Sequence, residues 1–95
     1  MSSPDRTEQN TAVFTIQAAA DPGVLPEAFG LFAKHGLIPS RWVGNTHAHD
    51  ARLFLTVEVD GTADDAARRM ATALRRIMCV ETVVTDSRIL AAKRA

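Results

Sequence analysis

Ala20-Asp21-Pro22-Gly23-Val24-Leu25 joins a short apolar strand to a helix, and the reading of that junction decides the fold. Upstream, Thr11-Ala12-Val13-Phe14-Thr15-Ile16 places Phe14 and Ile16 on one side and Thr11 and Thr15 on the other, as a half-buried strand does. Downstream, Leu25, Ala28, Phe29 and Phe32 recur at helical spacing. Pro22 and Pro26 fit the first turn of that helix, where a missing N–H has no intrahelical partner to lose. Amides left free at a helix start carry partial positive charge, so the junction is expected to suit a carboxylate, with Gly23 letting the backbone come close. The bland alternative is a plain helix entry in which Asp21 caps the first turn.

Beyond the helix, Lys34, His35 and Gly36 supply a stop signal. A second strand is expected over Leu37 to His47, then a hairpin turn at Ala48-His49-Asp50-Ala51. The run Leu53-Phe54-Leu55-Thr56-Val57-Glu58-Val59 has the clearest period-2 pattern in the chain, with Leu53, Leu55, Val57 and Val59 on one face. Asp60 and Gly61 end it, and Thr62 is the expected N-cap of a second helix, with Asp65 three residues on. Ala67, Met70, Ala71, Leu74 and Ile77 form the apolar stripe of that helix, and Asp64, Asp65, Arg68, Arg69, Arg75 and Arg76 its solvated surface. Val80 to Thr85 reads as a fourth strand.

The order is therefore β-α-β-β-α-β. Two right-handed crossovers in that order give an α+β, ferredoxin-like domain, a four-stranded antiparallel sheet with two helices on one face. Thr15, Gln17, Phe54, Thr56 and Glu58 are expected on the uncovered face, a composition that fits contact with another copy, as would an unpaired edge strand. Residues 11–88 are expected to fold as one domain between a flexible lead-in at 1–10 and a short basic tail at 89–95.

At 95 residues the chain leaves much of its surface uncovered, which pairing with a second copy would bury. Eleven basic and eleven acidic residues cancel, so no overall field favours nucleic acid or an anionic membrane. No apolar run approaches the length that spans a bilayer. Met1 to Asn10 lacks the apolar core of a signal peptide and the single cysteine cannot form an internal disulfide, so a reducing cytoplasm is the expected location.

Catalytic constellations do not stand out: no Ser-His-Asp, Cys-His or paired-carboxylate spacing implies chemistry, and neither an activity nor a cofactor is expected. His47 and His49, with Asp50, have a spacing that can chelate a metal, although a metal site needs three or four converging ligands and a turn-flanking pair is the simpler reading. Cys79, at a strand entrance rather than a helix start, reads as a buried structural thiol. Trp42, beside Arg41, has the chemistry to stack on a ligand or partner, but a lone aromatic on a strand reads more simply as packing. The arginines of the second helix, offset by Asp64 and Asp65, read as a solvated face.

Val13-Phe14-Thr15-Ile16, Pro22-Gly23-Val24-Leu25, Gly30-Leu31-Phe32 and Gly36-Leu37 together resemble an ACT domain over about Ala12 to Ser87. The phrasing Gly30 to Gly36 and the single-domain length look most similar to the small regulatory subunits of acetolactate synthase. The resemblance implies a non-catalytic sensor that binds a small, branched-chain amino acid between two copies and modulates the catalytic subunit of a biosynthetic enzyme. It places the ligand against Gly23, Val24 and Leu25, with Asp21, Ile38 and Pro39 as positional neighbours. The chain has Ala20 where relatives carry Asn or Asp, and Ile38 where ligand-binding members carry Asn. Those departures frame an alternative, an interaction module that keeps the fold without the ligand.

Overall fold

The structure, a computed structural model, describes residues 10–89. Of the expected lead-in and tail, only Asn10 and Ile89 fall among the described residues, and both lie in strands. Six elements follow one another: β1 Asn10–Ala19, α1 Val24–Lys34, β2 Arg41–His47, β3 Arg52–Asp60, α2 Asp64–Leu74 and β4 Val80–Ile89. All strand pairs are antiparallel, in the order β2-β3-β1-β4. This is the expected ferredoxin-like arrangement, with β1 bonded on both sides and β2 and β4 at the edges.

Alternation along the two central strands builds the core. Ala12, Phe14, Ile16 and Ala18 of β1 and Leu53, Leu55, Val57 and Val59 of β3 are all buried, and the helices lie against this face. From α2 come Ala67, Met70, Ala71 and Leu74, with Ile77 just beyond it, the stripe expected from spacing. From α1 come Val24, Ala28 and Phe32, so the helix is turned by about one residue from the expected phase, and Leu25 and Phe29 lie at its flank. Phe32 meets Phe14 edge to face, with ring centroids 5.3 Å apart, a geometry that adds about 0.5–1.5 kcal/mol to simple burial.

Local hydrogen bonds explain the departures from the expected boundaries. Helix α1 closes in a Schellman motif, the Leu37 N–H donating to Phe32 O at 2.8 Å and the Gly36 N–H to Ala33 O at 3.0 Å, with Gly36 at φ +73°. That closure takes up Leu37, and Pro39 has no N–H for a ladder, so β2 begins at Arg41 rather than Leu37. Thr62 is not the N-cap of α2. Ala63 holds that position, and the buried Thr62 hydroxyl instead donates to Val59 O at 3.2 Å, tying off the end of β3. Because α2 stops at Leu74, Arg75 lies past the helix, where its guanidinium donates to Val83 O at 2.7 Å. The register of β4 on β1 shifts between Gln17 and Ala18, leaving Glu81 as the extra residue, and its carboxylate pairs with Arg52 of β3.

A Cβ at Gly36 would meet nothing within 4 Å, so substitution there has only a conformational penalty. Gly36→Ala should therefore destabilise the fold by about 1 kcal/mol, against about 3–5 kcal/mol for Phe32→Ala. Thermal melts should show the first variant lowered by a few degrees and the second by several times as much; equal losses would contradict this account of the helix end.

Candidate functional site

Between β1 and α1 the chain makes a tight turn tied at both sides. The Ala19 N–H donates to Cys79 O at 2.9 Å and the Ala20 N–H to Ala51 O at 2.8 Å, joining the turn to the entrance of β4 and to the β2–β3 hairpin. Ala51 itself sits at φ 51°, an uncommon backbone setting for alanine, and its carbonyl is the group that receives Ala20.

The expectation of several free amides needs correction. Asp21 Oδ1 accepts the Gly23 N–H at 2.8 Å and Asp21 O accepts the Val24 N–H at 3.0 Å, so the chain's own aspartate meets the first two donors. Proline at 22 and 26 has no N–H to offer. Among the described residues, the Leu25 N–H is the one donor of this turn without an acceptor. A Cβ on Gly23 would lie 3.3 Å from Asp21 Oδ1, tighter than ordinary contact, so a glycine there admits the carboxylate.

A shallow trough runs from this turn along the flank of α1. Its walls are Leu25 and Phe29 of α1 and Trp42 and Thr46 of β2, its base Leu53 and Leu55 of β3, and its volume about 320 Å³. A second hollow of about 250 Å³, lined by Ala20, Asp21 and Pro22, shares Leu25, Thr46 and Leu53 with the first and carries the trough up to the aspartate. Register places Trp42, Gly44 and Thr46 opposite Val57, Leu55 and Leu53, hence on the helix side of the sheet. Trp42 stands edge to face on Phe29, ring centroids 5.6 Å apart, yet remains 56% exposed. Spacing could have found Leu25; it gave no signal for Trp42 and Gly44, because every residue of β2 is exposed and the strand has no apolar alternation.

The remaining expected site residues lie elsewhere. Ile38, 84% exposed, and the half-buried Pro39 follow the far end of α1. An 11-residue helix is about 16 Å long at 1.5 Å per residue, so one copy does not bring Ile38 to Gly23. His47 and His49 stack with centroids 6.0 Å apart, and His47 also rests on Phe54 on the uncovered face. Among the described residues no three His, Cys, Asp or Glu side chains are grouped to hold a metal ion. Cys79 is half-buried rather than fully buried, beside Ala18, Val24 and Leu53. Burial first, then the charge and hydrogen bonding of Asp21, and then Glu27, push its thiol pKa up.

A raised thiol pKa leaves less thiolate at a given pH, so Cys79 should alkylate with iodoacetamide more slowly than a free cysteine, with its inflection at higher pH. Asp21→Asn removes the charge while keeping an oxygen for the Gly23 N–H, and should speed the reaction at pH 8, burial still holding it below the rate of a free cysteine. An unchanged rate would show that Asp21 does not face the thiol.

A family model described as an ACT-like domain matches residues 5–91. The crystal structure of the ACT domain from GTP pyrophosphokinase of Chlorobium tepidum superposes with a TM-score of 0.69 at 18% identity, covering 80% of this chain and 96% of that one. A formyltetrahydrofolate deformylase from Pseudomonas syringae pv. tomato gives 0.68 at 12% identity, covering 83% of this chain but 28% of the enzyme. The C-terminal domain of the MgtC protein from Mycobacterium tuberculosis gives 0.68 at 10% identity, covering 86% of this chain and 90% of that one. At these identities the likeness is one of fold. No curated protein matches significantly. Domains of this family are in general regulatory, ligand-binding modules of enzymes of amino-acid metabolism, and they commonly dimerise. The strand-to-helix turn, the β-α-β-β-α-β order and a family match over residues 5–91 agree: this chain belongs to the ACT-like domain family.

Proposed function

We propose that the domain is an amino-acid sensor that works as a homodimer in the cytoplasm and modulates a biosynthetic enzyme, with a catalytic subunit of the acetolactate synthase type as the partner suggested by the Gly30 to Gly36 phrasing. The observation that carries the reading is the trough reaching the Asp21 turn beside an edge strand, β2, exposed along all seven residues. An edge of that length offers a row of unpaired backbone groups to a second copy. Pairing there would cover the trough and let Ile38 and Pro39 of one copy approach Asp21, Gly23, Val24 and Leu25 of the other, which the length of α1 forbids within a single copy. At the turn the Leu25 N–H takes a ligand carboxylate, and Asp21, whose Oδ1 is held by Gly23, presents its second oxygen to the ammonium.

A second reading has its own support. Asp21 already occupies the Gly23 and Val24 amides, and neither Ala20 nor Ile38 brings a polar side chain. On this reading the domain docks on its enzyme without a ligand. Light scattering and calorimetry separate the two. The sensor should run at twice the chain mass and bind an amino acid with micromolar to millimolar affinity, about 4–8 kcal/mol. A dimer that gives no heat with any amino acid would favour the docking module, and a monomer that gives none would remove the sensor.

A further inference from the structure

The trough also speaks to which amino acid would enter it, an inference that rests on the sensor reading for the placing of the head group. Apart from Asp21 at its mouth, no charged side chain lines the trough, so nothing there would neutralise an acidic or basic ligand side chain. Its lining is mostly apolar, with Asn45 and Thr46 as the polar members, and Trp42 stands against Phe29 at its edge. A volume of about 320 Å³ lies near the lower end of small-molecule sites, roughly 300–1,000 Å³, the scale of one large amino acid rather than a nucleotide.

Gly44 keeps that space open. A Cβ built there would stand 3.5 Å from Leu55 Cδ1 and 3.8 Å from Phe54 O, ordinary contact distances, so the backbone tolerates a side chain at 44. Its further atoms would enter the trough between Trp42 and Thr46, which β2 directs to the same side. Nothing in the local fold demands glycine at this position: it has no positive φ, and β-branched residues suit strands. We infer that Gly44, Phe29 and Trp42 select an α-amino acid with a large aromatic or aliphatic side chain, Gly44 by leaving volume and the two rings by supplying an apolar wall. The side chain lies along the trough toward Trp42, and edge-on contact with the indole favours an aromatic ring over an aliphatic chain of similar size.

Calorimetry on the whole chain with L-phenylalanine, L-leucine, L-alanine and L-serine tests the assignment, using the native protein and the Gly44→Val and Trp42→Ala variants. Since one methylene in an apolar pocket is worth roughly tenfold or more, phenylalanine should bind at least about tenfold more tightly than alanine. Gly44→Val should remove about tenfold of the phenylalanine affinity and leave alanine within about threefold, with Trp42→Ala intermediate. Melting curves for each variant separate lost binding from lost folding. Alanine or serine binding as tightly as phenylalanine, or phenylalanine binding that ignores Gly44→Val, would overturn the assignment while leaving the sensor intact. Silence with all four would overturn this inference, and the sensor reading falls with it only if the remaining amino acids give no heat either.

Discussion

Helix α1 is held to the sheet through the contact of Phe14 with Phe32, and the functional geometry follows from how that contact fixes α1. Phe32 faces the sheet only if Val24 and Ala28 do too, since the three lie on one stripe. That phase turns Leu25 and Phe29 sideways, over β3 toward β2, where no other helix covers them. The trough is thus a by-product of core packing: α1 is anchored on β1 and β3, and the edge strand beyond it is left bare. The tied turn at Ala19 to Asp21 fixes the other end of the same helix, so the trough has a polar mouth and an apolar floor.

Much of this was legible in the sequence. Leu53 to Val59 alternates without interruption because a strand covered on one face admits one residue class at every second position, and α2 shows its stripe as plainly. The order of elements follows from those patterns. The phase of α1 was harder to read. With proline at 22 and 26 and apolar residues at 24, 25, 28, 29 and 32, two adjacent stripes satisfy helical spacing, and the choice between them is made by Phe14, a residue distant in sequence.

The site was less legible than the fold for related reasons. Which backbone amides stay free depends on where the Asp21 side chain turns, a question of one rotamer that spacing does not answer. Trp42 and Gly44 belong to a strand whose residues are all exposed, so hydrophobic periodicity is silent there, and only pairing with Val57 and Leu55 reveals that they face the helix side. Ile38, aligned by family resemblance with the binding loop, sits across the length of α1 from it, a separation that sequence position alone does not convey. Departure from the expected Thr62 cap has the same origin: the hydroxyl donates to Val59 O instead of accepting an N–H from the first turn of α2.

The central claim is that one ligand is held by the Asp21 turn and trough of one copy and by the far end of α1 of another. Amide chemical shifts of the labelled chain, followed through a titration with phenylalanine, address it directly. The account predicts saturable changes at Gly23 to Leu25, at Gly44 to Thr46 and, together with them and with the same midpoint, at Ile38. Changes at the turn and trough with Ile38 unmoved, or none at the turn, would contradict it.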